Sequence, residues 1–469
     1  MSLPLDLSAE QQDALWQAVV QRVRNHPAVL CERPATPKLD REAVRAQVAA
    51  FDFAQPLDPA EAVEQVADAK LERHVHPPHP RYFGLFNPAS TEAGVAGDAL
   101  TAAFNPNVAA WSHSPWATEV ELHLARALGA QLGLNPSGLD GLFVSGGMEA
   151  NLTAVLTALQ AHFPGYRTHG LRGIPAEPVF YVSAECHHSF QRTASVTGLG
   201  TDAVRAVAVD EQLRMRPDAL ETAIERDRRY GFAPFLVAAT AGTTNAGAID
   251  PLAEVAEVAR RYGLWSHVDA AWAGAAALLP EKRTLFSGIE LADSVTLDAH
   301  KWLSAPMGAG LVLCTRPGAL RAAFAVENPY MPREASGDVA DLYQYGLQWS
   351  RRFHGLKLFL SLLIHGWEGY RAAIRHMFAM GDRLERGLGE TGWEIVNQTP
   401  LPISCFVDAE DPSEQRSEQV RASVFESGQA WISTTRLGGS QAALRACVTN
   451  FRTQPADVDA LIAALEATR

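Results

Sequence analysis

Between about residues 117 and 335 the chain alternates short apolar runs with stretches of helical periodicity, and this alternation restricts its fold more than any other feature. The runs Leu142-Phe143-Val144, Val179-Phe180-Tyr181-Val182, Phe235-Leu236-Val237, Trp265-Ser266-His267-Val268, Ser294-Val295-Thr296-Leu297 and Leu311-Val312-Leu313 are too short for helices. They carry β-branched or aromatic residues and are predicted strands. Between them a helix is predicted from near Glu149, where Leu152, Val155, Leu156 and Leu159 share one face. Repeated strand–helix units imply an α/β domain with a mainly parallel sheet, because parallel neighbours need a crossover between them.

The flanks read differently. Ser8 and Gln11 form a capping box for an amphipathic helix carrying Leu15, Trp16, Val19 and Val23. Residues 52–80, with several prolines and with His74, His76 and His79, read as a connector ending at Pro77-Pro78-His79-Pro80. Beyond about residue 355 come long helical segments, then the strand-like Ile403-Ser404-Cys405-Phe406-Val407 and Leu444-Arg445-Ala446-Cys447-Val448. The expected division is an N-terminal helical segment over 1–80, a large domain over 81–355 and a small α+β domain over 356–469. A formal charge of −13 argues against a nucleic-acid partner. The apolar stretch Ala270–Pro280 is well short of the roughly 20 residues of a bilayer span, and the N-terminus shows no basic-then-apolar signal pattern. No membrane association and a cytoplasmic location are therefore expected. Cys31, Cys186, Cys314, Cys405 and Cys447 form no C-x-x-C pair and read as reduced thiols.

In open parallel sheets ligands bind beyond the carboxyl ends of the strands. Three such places stand out. Ser145-Gly146-Gly147-Met148-Glu149 follows a strand and opens a helix, so its backbone N–H groups can seat a phosphate. Asp269, ending a strand in His267-Val268-Asp269-Ala270-Ala271-Trp272, is a buried carboxylate that needs a cationic or hydrogen-bonding partner. Lys301, in Asp298-Ala299-His300-Lys301-Trp302, is a strand-end lysine suited to Schiff-base chemistry. Each has an ordinary structural reading by itself: a tight turn, a core hydrogen bonder, a surface lysine. Together they match the phosphate, pyridine nitrogen and aldehyde of pyridoxal phosphate.

These three motifs resemble those of the group II pyridoxal-phosphate decarboxylases, which include aromatic amino acid, glutamate, cysteine sulfinate and diaminobutyrate decarboxylases. The resemblance runs in order from His79-Pro80-Arg81-Tyr82-Phe83, through Trp111-Ser112-His113-Ser114-Pro115, to Arg351-Arg352-Phe353 and Leu444-Arg445-Ala446-Cys447-Val448. It implies the fold-type I, aspartate aminotransferase-like architecture, pyridoxal phosphate as cofactor, decarboxylation of an L-amino acid to its amine, and a homodimer with shared active sites. By resemblance, Lys301 carries the cofactor, Asp269 protonates its ring nitrogen, His187 stacks on the ring and Ala271 packs on the other face. Gly147, Met148, Thr240, Thr244 and His300 line the cofactor, Tyr330 is the loop acid that protonates the α-carbon, and Phe86, Asn87, Asn107 and Arg445 face substrate. A Phe at position 330 would favour a decarboxylation-linked aldehyde synthase.

Two departures matter. Asp298 stands where several relatives carry a neutral Asn that helps hold phosphate, so it is left out of the cofactor set. The polar Asn87, Asn105 and Asn107 resemble acidic-substrate relatives, whereas Trp111-x-x-Ser114-Pro115-x-x-Thr118-Glu119-x-Glu121 resembles the aromatic ones, which leaves both substrate classes open. A metal hydrolase built on His74, His76, His79, His187 and His188 would lack H-E-x-x-H spacing, so no metal is expected. A non-catalytic cofactor-binding protein would not require Lys301, Asp269, His187 and Tyr330 together. Other lyases on this fold differ in which α-carbon bond is set perpendicular to the ring.

Overall fold

The computed structural model describes residues 5–327 and 339–469, so Tyr330 lies outside the described residues. The predicted strands all form. A seven-stranded sheet contains β1 (Asp140–Val144), β2 (Pro178–Ser183), β3 (Val204–Val207), β4 (Ala233–Thr240), β5 (Trp265–Asp269), β6 (Ser294–Asp298) and β7 (Gly310–Cys314), in the order β1-β7-β6-β5-β4-β2-β3. The run from β3 through β2, β4 and β5 to β6 is parallel, while β7 lies antiparallel between β6 and β1. Every residue of β2, β5, β6 and β7 is buried, as a sheet covered on both faces requires. Sequence reading missed β3, which is short, sits at the sheet edge and interrupts its apolar residues with Arg205.

Among the described residues five helices precede β1. They are α1 (Ala9–Cys31), α2 (Arg41–Ala49), α3 (Pro59–Arg73), α4 (Glu92–Phe104) and α5 (Pro115–Leu132). The Ser8–Gln11 capping box starts α1. The expected connector over 52–80 is corrected by α3: Asp58 accepts from the N–H groups of Ala60 and Glu61, and Pro59 occupies the first turn. Proline there begins a helix instead of breaking one, because its missing N–H has no intrahelical partner to lose.

After β1 comes α6 (Gly147–His162), which packs against β4, β5, β6 and β7. Beyond residue 339 a long helix, Leu356–Glu390, is broken at Gly366 (φ 60°). An antiparallel sheet follows, with β8 (Trp393–Ile395), β9 (Ile403–Asp408), β10 (Ser433–Leu437) and β11 (Gln441–Cys447) in the order β10-β11-β9-β8. Arg351 pairs with Glu121 at 3.2 Å and donates to the Phe143 carbonyl at 2.6 Å, both side chains being buried. This anchors the segment before the long helix to β1.

Candidate active site

The carboxyl ends of β1, β4, β5 and β6 bring Gly147, Thr240, Asp269, Ala271 and Lys301 together. Side chains alternate along a strand, so Trp265, His267 and Asp269 share one face of β5, and Ser294, Thr296 and Asp298 share one face of β6. Asp269 accepts from Asn151 Nδ2 at 2.8 Å and from the Ala271 N–H at 3.1 Å. Asn151, on α6, also donates to Ser189 Oγ at 2.9 Å, while its Oδ1 accepts from Thr296 Oγ1 at 2.7 Å and meets His267 Nε2 at 3.1 Å.

Counting donors orders this network. Trp265 Nε1 donates to Ser294 Oγ at 2.8 Å, so the Ser294 hydroxyl proton is available to His267 Nδ1 at 2.9 Å. His267 then carries its proton on Nε2 and gives it to Asn151, whose two amide protons go to Ser189 and Asp269. Asp269 is left as an acceptor with its carboxylate oriented from behind. Complete burial pushes the His267 pKa down to about 4, so the imidazole stays neutral. Asn151, His267, Ser189 and Thr296 were missed in the sequence. For His267 and Thr296 the signal was the polar period of two in Trp265-x-His267-x-Asp269 and Ser294-x-Thr296-x-Asp298, unusual in strands buried on both faces, whereas Asn151 and Ser189 lie on helices and carried no such signal.

The turn between β1 and α6 is where the sequence places a phosphate seat. Gly146 offers no side-chain cap to α6, leaving first-turn N–H groups such as those of Gly147 and Met148 for a ligand. Space here is tight. A Cβ at Gly147 would stand 2.8 Å from Asp298 Oδ2, and one at Gly310 would stand 2.5 Å from Gly146 Cα. His300 Nδ1 accepts from the Ala309 N–H at 3.3 Å, so its neutral ring carries the proton on Nε2. Burial lowers the His300 pKa, partly offset by Asp298.

Lys301 Nζ lies 2.8 Å from Asp298 Oδ2. Thr240 ends β4 beside Asp269, and its buried Oγ1 has no hydrogen-bond partner. His187 is exposed, but its Nδ1 accepts from the Ser189 N–H at 3.1 Å, which fixes the ring. Desolvation of the inner side of that ring lowers its pKa, while Asp269 raises it.

Arg445, on β11, is buried. Its Nε donates to Thr244 O at 3.0 Å and its Nη1 to Gly84 O, while Nη2 has no partner. The guanidinium lies 4.8 Å from the centre of the Phe86 ring, which stacks on Trp272 at 4.3 Å. Asn87 Oδ1 is likewise buried and unpaired. Asn107 is engaged elsewhere, accepting from the Arg351 N–H at 3.0 Å. His79 uses both ring nitrogens on backbone, at Arg81 N and Arg33 O, and among the described residues no group of three or more His, Cys, Asp or Glu could hold a metal ion.

The family model of the pyridoxal-dependent decarboxylase conserved domain matches residues 48–408. The chain belongs to this family. As a pyridoxal-dependent decarboxylase it is a carboxy-lyase of amino acids with pyridoxal phosphate as cofactor. It is 32% identical over 463 residues to an aromatic-L-amino-acid decarboxylase of Bacillus atrophaeus, covering 97% of this chain and 94% of that protein. It is 36% identical over 332 residues to human cysteine sulfinic acid decarboxylase, covering 70% of this chain and 67% of that protein. Among solved structures, mouse CSAD superposes with a TM-score of 0.91 at 28% identity, covering 98% and 99% of the two chains. Oryza sativa TDC with PLP and tryptamine gives 0.93 at 24% identity, covering 100% and 99%, a likeness of fold.

The decarboxylase's residues fit the cofactor. The cradle is closed to a Cβ at Gly147 and Gly310, each Asp269 oxygen accepts only one of the hydrogen bonds from Asn151 and Ala271 and so keeps acceptor capacity, and Thr240 Oγ1 is a buried hydroxyl lacking a partner. Gly147, Met148 and His300 would hold phosphate, Asp269 the ring nitrogen and Lys301 the aldehyde carbon.

Proposed function

We propose that this decarboxylase acts on an L-amino acid with an aromatic or acidic side chain, releasing carbon dioxide and leaving a proton on the α-carbon of the amine. The supporting observation is Arg445: a buried guanidinium over the Phe86 ring, tied at Nε and Nη1 to backbone carbonyls, whose Nη2 has no acceptor. A guanidinium fixed in this way cannot turn away to find water, and a substrate carboxylate would satisfy it. The stacked Phe86–Trp272 wall gives an apolar surface beside that cation, which suits an aromatic ring, whereas the unpaired Asn87 Oδ1 adds a polar contact. The relatives named for aromatic amino acids and for cysteine sulfinic acid span the same two classes.

When bound, pyridoxal phosphate supplies the electron sink for the pair left on the α-carbon as carbon dioxide departs. The chain's own groups then have separate tasks. Asp269, braced by Asn151 and Ala271, holds a proton on the ring nitrogen and stabilises the developing charge. Lys301 presents its amine from the turn after β6. His187, with Nδ1 occupied, offers a ring face for stacking, and Ala271 leaves the opposite face clear. Tyr330 delivers the proton to the α-carbon.

The enzyme works as a cytoplasmic homodimer on this reading. Trp16, Val20 and Val23 are exposed along α1, and a cavity of about 630 Å³ between α1 and α3 is lined by Val23, Val29, Leu71, His26 and His74. A second subunit would cover this apolar face. Five free cysteines, three of them buried, fit a reducing compartment.

The test is mass spectrometry of products after the cofactor-loaded protein meets aromatic, acidic and basic L-amino acids in air. The expected product is an amine lighter than its parent by carbon dioxide, from an aromatic or acidic member. A carbonyl product with ammonia and peroxide would move the assignment to an aldehyde synthase, and turnover confined to basic substrates would overturn the substrate class.

A further inference from the structure

Asp298 ends β6 one turn before Lys301, where an anion beside a phosphate seat is repulsive unless it is bridged. In the fold its Oδ2 lies 2.8 Å from Lys301 Nζ and 3.9 Å from His300 Nε2. The residue is 1% exposed, and Oδ1 has no hydrogen-bond partner. The same Oδ2 would meet a Cβ at Gly147, so the carboxylate stands between the lysine nitrogen and the phosphate turn. A buried carboxylate without a cation is strongly disfavoured, and the partner cation here is the nitrogen assigned to carry the cofactor.

We propose that Asp298 is the counter-ion of Lys301 and keeps that nitrogen protonated both as the ammonium and, after loading, as the Schiff base. The inference rests on the assignment of Lys301 as the cofactor lysine. Condensation of the ammonium with the aldehyde expels water and leaves one proton on the imine nitrogen, so the charge facing Asp298 is unchanged by loading. Two carboxylates thereby divide the cofactor, Asp269 serving the ring nitrogen and Asp298 the imine nitrogen.

The other titratable groups around Asp298 are His300 on the same turn, His187 across the site and Asp269 at the end of β5, with Lys357 acting on His300. The Gly146–Gly147 turn and Gly310 of β7 present none. Both histidines have lowered pKa values, His300 through burial and His187 through desolvation of its inner ring side, and so stay neutral above pH 7.

The test is an absorbance titration of the holoenzyme and of Asp298→Asn from pH 7 to 10, following loss of the long-wavelength band of the protonated Schiff base. Borohydride reduction and peptide mass spectrometry first establish which lysine carries the cofactor. The expected result is a midpoint about one unit or more lower in Asp298→Asn, a tenfold change, with Asp298→Glu retaining the parent midpoint. Cofactor trapped on another lysine would remove the Lys301 assignment and the inference with it. Trapping on Lys301 with equal midpoints in parent and Asp298→Asn would overturn the inference alone. Should Asp298→Asn not fold, Asp298→Ser is titrated in its place: a midpoint lowered by about one unit supports the pair, and a midpoint equal to the parent's overturns it.

Discussion

Strand ends made much of this site readable one residue at a time. Gly147, Asp269, His300 and Lys301 sit where the sequence changes from apolar run to polar turn, and that change is local. The bracing of Asp269 was not readable in this way, because Asn151 and His267 meet across 116 positions and only packing of α6 on the sheet joins them. Arg445 likewise gains its orientation from Gly84, 361 positions away. The buried His267 gives a residue-scale prediction. Its folded pKa of about 4 lies below the ordinary 6.5, so between these values the unfolded chain takes up a proton that the native state refuses. Its contribution to stability is full above about pH 6.5 and is lost as pH falls toward 4. Asp250, pushed up to about 7 by burial, has the opposite trend, its contribution falling as pH rises from 3.8 toward 7. His267→Gln should therefore be less stable than the parent at pH 7 by about 1–3 kcal/mol, and thermal melts should show the gap narrowing toward pH 4. Tyr330→Phe removes the proposed proton donor. Product analysis in air should show amine yield falling at least tenfold with carbonyl product appearing, and an unchanged amine rate would exclude Tyr330 as the acid.

Elements were legible where the hydrophobic period was clean and were lost where it was not. The six apolar runs became strands because a doubly covered sheet demands them, while β3 escaped because an edge strand tolerates Arg205. The α3 region was hidden by its prolines, although Asp58-Pro59 is itself a helix start signal. At this scale, the approach of β7 to the β1–α6 turn is testable. A methyl group at Gly310 would stand 2.5 Å from the Gly146 backbone, whereas one at Gly147 would meet Asp298 Oδ2 at 2.8 Å and Ala271 Cβ at 3.3 Å. Gly310→Ala should lower stability by about 1–3 kcal/mol in denaturant titration. Gly147→Ala should act mainly on the seat, weakening pyridoxal phosphate binding at least tenfold in equilibrium dialysis with a smaller change in the apoprotein's melting temperature.

For the molecule as a whole, the amphipathic N-terminal helix was visible in the sequence, and the proposed second subunit is what would cover its exposed face. The ion pairs of Arg22 with Glu64 and Asp68 hold α1 on α3, leaving Trp16, Val20 and Val23 facing outward. Light scattering of Trp16→Glu/Val23→Glu should show a shift toward monomer with loss of activity, and a fully active dimer would dismiss the clasp. Among the described residues no helix is long and apolar enough to cross a membrane. The placement of β7 has a consequence in time. Within the seven-stranded sheet, β6 and β7 are the only sequence neighbours that pair antiparallel, and 299–309 connect them. Such a hairpin closes with little loss of chain entropy, whereas the parallel partners must wait for their crossovers. Lys301 sits on that hairpin's connection, so loop entropy predicts that its turn orders ahead of the crossovers, and pulsed hydrogen exchange during refolding should show the amides of 294–314 protected before those of α6.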